Sequence, residues 1–445
     1  MLALGAVQSA LADGQQITGE VSKNAGKAAI AVPDFRGSGE AGALMNTFNA
    51  TLFSELQNSG IFRMVPKTVM PLQIPQQPSD FKRPPQPGAR GNGYYLTDWS
   101  GPPANASYLA FGYTAAQNGQ IALYGWLYNA QQDLSGAQVF GRVYSGTLDD
   151  AGARKVAREF AADILKEFGG VSLMGTKIYF VSDRGGHKEI WSMDYDGSNQ
   201  KQFTHYGSIS TFPCVSPDGT KIAFTSYVHG RPEIFVHSLV SGNKLPYYNQ
   251  HSSMNAASDF TNDSNHLLIY STAAGGYSQI FETNVDGGNL QRLTYANSIA
   301  VEAKVNPKDG NSIVFVSDRG GLPQIYTMSV DGVNVQRLTN GEGEAVNPSW
   351  SPDGQHIAFA WTKGFAPGNY NVFVMDVASK EITQLTHEEG RNENPSWAPD
   401  GAHIAYSSRQ GRGLQIWTML ANGTEKRQLT TVGNNEKPVW SRGSY

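Results

Sequence analysis

At 445 residues and 40% hydrophobic content, the chain can bury more than one sizeable core. Its net charge of −4 is spread over interspersed Lys, Arg, Asp and Glu with no basic run, which argues against a phosphate backbone or an anionic bilayer surface as partner. The single cysteine, Cys214, excludes an internal disulfide; within Pro213-Cys214-Val215 it falls on a repeated strand and reads as a buried, inert thiol.

Residues 1–12 read as the apolar end of a secretory signal, closing in Ala10-Leu11-Ala12 before Asp13, an A-x-A cleavage pattern. The basic start of such a signal is missing, and an ordinary unstructured terminus is the competing reading. Asp13 to Lys27 is polar with no apolar period and reads as an arm. A domain over 13–170 follows. Ala28 to Val32 is an apolar β run, and Leu44, Phe48, Leu52 and Leu56 then recur at helical spacing up to Asn58-Ser59-Gly60. Phe62 to Val65 is a short strand. Residues 66–93 carry seven prolines between Pro66 and Pro87 and read as a loop. Tyr108 to Tyr113, Ile121 to Tyr128 and Val139 to Tyr144 form a predicted antiparallel meander. A helix capped by Asp149 or Asp150 closes the domain, with Val156, Phe160, Ile164, Leu165 and Phe168 on one face and Gly169-Gly170 at its end. This α/β domain shows no phosphate-binding loop and no clustered metal ligands.

From 171 to 445 the chain repeats. The apolar triplets Ile178-Tyr179-Phe180, Ile222-Ala223-Phe224, Leu267-Leu268-Ile269, Ile313-Val314-Phe315, Ile357-Ala358-Phe359 and Ile404-Ala405-Tyr406 recur every 44 to 47 residues. All but the first follow recognisable variants of one strand and turn, complete as Pro-x-Trp-Ser and Ser-Pro-Asp-Gly in Pro348 to Gly354, where Pro presets φ and Gly takes the fourth position. A hairpin with a turn such as Asp331-Gly332, read as a two-residue connection, completes four antiparallel strands per period, the pattern of a propeller blade. The first copy lacks the Pro-x-Trp-Ser strand, whereas Pro438-Val439-Trp440-Ser441 ends the series. The C-terminal strand is therefore expected to close a six-bladed, all-β propeller, where a solenoid would carry polar caps.

The Pro-x-Trp-Ser strand should be innermost, and the segments leading into it, such as Met254-Asn255-Ala256-Ala257 and Glu344-Ala345-Val346-Asn347, should form exposed loops at one mouth of the channel. They vary while the scaffold repeats, as binding loops do. All nine histidines fall in the propeller. His266, His356 and His403 share a column expected on the solvated surface, and His205, His251 and His387 have no ligand spacing, so no metal or other cofactor is predicted. Asp183-Arg184-Gly185-Gly186 and Asp318-Arg319-Gly320-Gly321 read as Asx-type turns.

With the α/β start Ile30-Ala31-Val32-Pro33-Asp34-Phe35, six copies of the repeat and a closing Trp-Ser strand, the chain resembles the TolB family, periplasmic propellers of the Tol-Pal system. The resemblance implies a non-catalytic, monomeric periplasmic protein. It would bind the peptidoglycan-associated lipoprotein Pal through the propeller and the inner-membrane Tol complex (TolA-like proteins) through its N-terminus, supporting outer-membrane integrity and cell division. The matching propeller positions are Met254, Asn255, Ala257, Val301, Glu302, Asn347, Glu393 and Glu436, where three carboxylates would make the mouth negative. The third copy departs from the pattern at Ser258 to Asp263, and the fourth has an extra residue at Lys308. A secreted propeller enzyme such as a polysaccharide lyase is the alternative.

Overall fold

The computed structural model describes residues 26–442 except 85, 87, 89, 90, 388, 389 and 412. The signal reading and nearly all of the arm lie outside the described residues. The chain divides into two compact units between Met174 and Gly175.

In the first unit β1 (Ala28–Ala31), β3 (Phe62–Met64), β4 (Tyr108–Gln117), β5 (Gln120–Asn129) and β6 (Gln138–Thr147) form one sheet in the order β3-β1-β4-β5-β6. A short strand, β2 (Arg36–Ser38), runs parallel to β4 and was not expected from sequence. The helices α1 (Met45–Asn58) and α3 (Asp150–Glu167) bury their apolar stripes, Phe48, Leu52 and Leu56 with Val156, Phe160 and Ile164, in one core against the sheet. Asp149 is the cap of α3, its Oδ1 accepting the Gly152 N–H at 2.8 Å, while Asp150 takes the Thr47 hydroxyl instead. The Pro-rich segment is anchored to α2 (Leu96–Ser100). The buried Asp98 carboxylate accepts the N–H groups of Gly91, Gly93 and Tyr95, and the Trp99 indole donates to the Gly93 carbonyl at 2.9 Å. A chain without ladder partners thereby satisfies its backbone.

The second unit is six four-stranded antiparallel sheets, and the sheet of blade 1 is completed from the far end of the chain. Asn435–Trp440 pairs with Lys177–Ser182 through Asn435↔Ser182 and Trp440↔Ile178. Side chains reinforce this closure. Asp183 accepts the Asn434 N–H and side-chain amide, each at 2.7 Å, and the buried Trp440 indole donates to Thr176 Oγ1 at 3.0 Å. The fold expected from the repeat, six blades closed by the last strand after an α/β start, is the one observed.

The turn chemistry explains the repeat. In Ser351-Pro352-Asp353-Gly354 the Gly354 N–H donates to the Ser351 carbonyl at 2.9 Å and Gly354 takes a φ of 69°. Ser264 holds the same conformation at φ 61° without glycine's freedom, and the extra residue at Lys308 widens the turn so that Gly310 donates to Asn306, four residues back. The Asp331-Gly332 connection corrects the two-residue expectation. Its outermost strand is only Gln336–Arg337, and the Ser329 N–H already reaches the Val333 carbonyl. Gly332 is needed for a second reason: a Cβ there would lie 2.3 Å from the Leu293 carbonyl oxygen of the preceding blade. The threonine ending most outer strands is buried, and its hydroxyl takes a third-strand N–H, as Thr339 does from Ile325 at 2.9 Å.

Candidate functional site

The innermost strands are Ser210–Val215, Asn255–Phe260, Ala300–Val305, Ala345–Trp350, Asn392–Trp397 and Asn435–Trp440. Each breaks register halfway. Val346 pairs with Ala360 and Ser349 with Ala358, leaving an extra residue on the inner strand, and equivalent breaks follow Thr211, Val301, Glu393 and Glu436. The third strand residue lies at the break with positive φ in five blades: Phe212 at 52°, Glu302 at 56°, Asn347 at 54°, Asn394 at 53° and Lys437 at 53°. Blade 3 skips only Ser258, which accompanies its departure from the Pro-x-Trp sequence. Proline follows the break in four blades, at Pro213, Pro348, Pro395 and Pro438, where no ladder N–H is required.

These third residues face a central cavity of about 390 Å³. Glu302 and Asn347 are joined there: Glu302 accepts the Asn347 N–H at 2.7 Å and its side-chain amide at 2.9 Å. Asn347 Oδ1 in turn accepts the Asn394 N–H at 3.3 Å, and the Lys437 ammonium lies 4.5 Å from the centre of the Phe212 ring. Two strand positions on, Ser349 and Ser396 accept the N–H groups of Trp397 and Trp440. Hydrogen bonds thus pass from blade to blade around the channel wall.

Of the eight positions singled out from sequence, Ala257, Glu302 and Asn347 share this cavity. The other five stand at or next to the starts of their inner strands, and seven of the eight belong to strands, which corrects the expectation of exposed loops. Met254 is half-buried just before its strand. Asn255 is buried, donating to the Gln250 carbonyl and accepting the Ser271 hydroxyl. Val301 packs against the core of blade 5. Glu393 is buried and paired with Arg391 at 3.0 Å, and Glu436 is paired with Lys188 at 2.6 Å. Two of the three expected carboxylates therefore carry adjacent cations, and the negative field anticipated at the mouth is largely cancelled. Sequence reasoning passed over Phe212, Asn394 and Lys437, which alignment of the third strand position would have found.

The histidine column also departs from expectation. His356 is buried between Asp353 and Asp376, at 3.7 and 3.6 Å, with its ring against Trp397 of the next blade. His403 repeats the arrangement with Asp400 and Trp440. His205, His251 and His387 are exposed, and among the described residues no three His, Cys, Asp or Glu side chains are grouped to hold a metal.

A closed six-bladed β-propeller with a bulged, hydrogen-bonded channel wall, preceded by an α/β unit, defines the class. The profile of the TolB beta propeller domain matches residues 165–443, and the chain belongs to that family. It is similar to a TolB homolog of Chlorobaculum tepidum, 34% identical over 163 residues covering 36% of each chain. A Tol-Pal system protein TolB of Bordetella pertussis is 28% identical over 218 residues, 48% of each chain. These matches span about a third to a half of the curated relatives' length. Among solved structures, TolB from Acinetobacter baumannii superposes with a TM-score of 0.75 at 22% identity, covering 93% of this chain and 96% of that one, a likeness of fold.

Proposed function

We propose that this chain is a non-catalytic, periplasmic, monomeric component of a Tol-Pal system, docking a peptidoglycan-associated lipoprotein on the channel mouth at the starts of the inner strands. The observation that carries this reading is the contrast at that mouth. The four-stranded blade scaffold repeats, whereas the second and third strand positions change from Thr211-Phe212 to Val301-Glu302 to Glu436-Lys437, giving a ring of similar backbones different surfaces from blade to blade. Family membership supports it, as do the names of the relatives. Met254 and Val301 would supply apolar contact, and Glu302, Asn347, Glu393 and Glu436 hydrogen-bonding groups already held in place, which lowers the entropy lost on binding.

In the same reading the polar residues 13–27 engage the inner-membrane Tol complex by adding a strand to a partner sheet, a mode led by backbone groups. Together the two contacts would support outer-membrane attachment and division. Capture from detergent-solubilised envelope tests the propeller half: the protein should retain the lipoprotein, and Met254→Arg should release it. Equal capture by the variant would place the partner elsewhere.

A further inference from the structure

The opposite end of the channel differs from the mouth in charge. After each inner strand the chain enters its turn, and the second residue past the strand is Pro217, Asn262, Pro307, Pro352 and Pro399 in blades 2 to 6, all neutral. In blade 1 it is Arg442, part-buried and lining the channel cavity with Lys304 and Asp259. Asp259, which lines the same cavity, already accepts the Val305 N–H at 3.0 Å, and Lys304 donates to the Ser258 carbonyl. Both Glu302 oxygens are taken by Asn347. Among the described residues Arg442 has no hydrogen-bond acceptor and no ion-pair partner within 4.0 Å. Two cations thus share this end of the cavity with one carboxylate that is already hydrogen-bonded through one oxygen, an excess of positive charge in a partly enclosed space that favours an incoming anion.

We propose that the turn-side end of the channel binds a small oxyanion, carboxylate or phosphate, with Arg442 as bidentate donor and Lys304 as the second cation. The planar fork of five N–H donors fits either oxyanion, and the cavity, about 390 Å³, admits a small organic acid as well as a bare ion. This site lies at the ends of the inner strands and the proposed lipoprotein surface at their starts, so one can fail without the other.

The test is calorimetric titration of the full chain with inorganic phosphate and, separately, with succinate, which distinguishes the two sources of anion. Saturable binding of at least one is expected. Arg442→Pro installs the residue four other blades carry and should weaken it by at least about tenfold, the scale of one charge-assisted hydrogen bond. Arg442→Gln serves as a second variant should the proline perturb blade 1, with circular dichroism confirming the fold. Absence of binding by both anions, or equal affinity in both variants, would overturn the proposal. So would binding seen only after residues 443–445 are removed, because the chain's own last residues would then be what Arg442 holds.

Discussion

Glu302 holds Asn347 at two points, the backbone N–H at 2.7 Å and the side-chain amide at 2.9 Å, so that the bulges of two adjacent blades are locked to each other across the channel wall. Both residues pay for positive φ, at 56° and 54°, to make this contact. Glu302→Ala should therefore cost about 1–3 kcal/mol, the penalty for leaving part-buried donors unpaired. Glu302→Gly loses the same acceptors but relieves the backbone, and should be less destabilised than the alanine variant. Urea denaturation of the two variants checks the order. Equal loss would show that the bulge conformation carries no strain.

Closure of the ring rests on a strand more than 250 residues from its partner, so it should dominate the propeller's stability. Trp440 is 5% exposed and spends its indole N–H on Thr176. Trp440→Ala is expected to cost about 3–5 kcal/mol and to lower the melting temperature by several degrees. Thr176→Val, which removes only the acceptor, should cost about 1–3 kcal/mol. A melting temperature unchanged in Trp440→Ala would mean that the last strand is dispensable.

His356 gives the propeller a pH dependence with a definite sign. Its polar contact with Asp353 at 3.7 Å, with the charges of Asp353 and Asp376, holds its pKa above the ordinary 6.5. The protonated ring thus stabilises the fold fully below 6.5, and the contribution is lost as pH rises through the folded value. Asp353 is depressed to about 2 despite the opposing effect of burial, by the nearby His356 ring and by hydrogen bonds from the Ser351 hydroxyl and the Gln355 N–H. Its contribution is present above the ordinary 3.8 and lost as pH falls through about 2. Stability should fall from pH 6 to 8 in the wild type and fall less in His356→Gln, as followed by denaturation at fixed ionic strength.

Cys214 is 1% exposed, and burial pushes its thiol up to about 12. It should resist aromatic disulfide reagents in the native state and react stoichiometrically in denaturant. Fast native labelling would show that blade 2 opens locally.

How much of this was legible in the sequence depended on which forces repeat. The blades, their order and the closure follow from a period of apolar triplets and turns, because strand and turn propensities act locally and recur six times. The inner-strand bulge was not legible. Positive φ at Glu302, Asn347 and Lys437 is imposed by the neighbouring blades, and none of these is a glycine that would have announced it. The column of His356 looked solvated because lysine and serine occupy it elsewhere, yet the Asp of its own turn and the tryptophan of the next blade enclose it. Glu393 and Glu436 looked like free acids because Arg391 lies two residues away and Lys188 in a strand connection nearly 250 residues distant.

The central claim is that a lipoprotein docks at the starts of the inner strands, and surface-resonance kinetics with its purified soluble domain test it most directly. Met254→Arg and Glu436→Lys, with native circular dichroism, should weaken binding at least about tenfold, chiefly through faster dissociation for Met254→Arg. Asp331→Lys, in an exposed turn at the other end of a blade, should bind as the wild type does. Full affinity in both mouth variants together with loss in Asp331→Lys would contradict the account and move the partner to the opposite face.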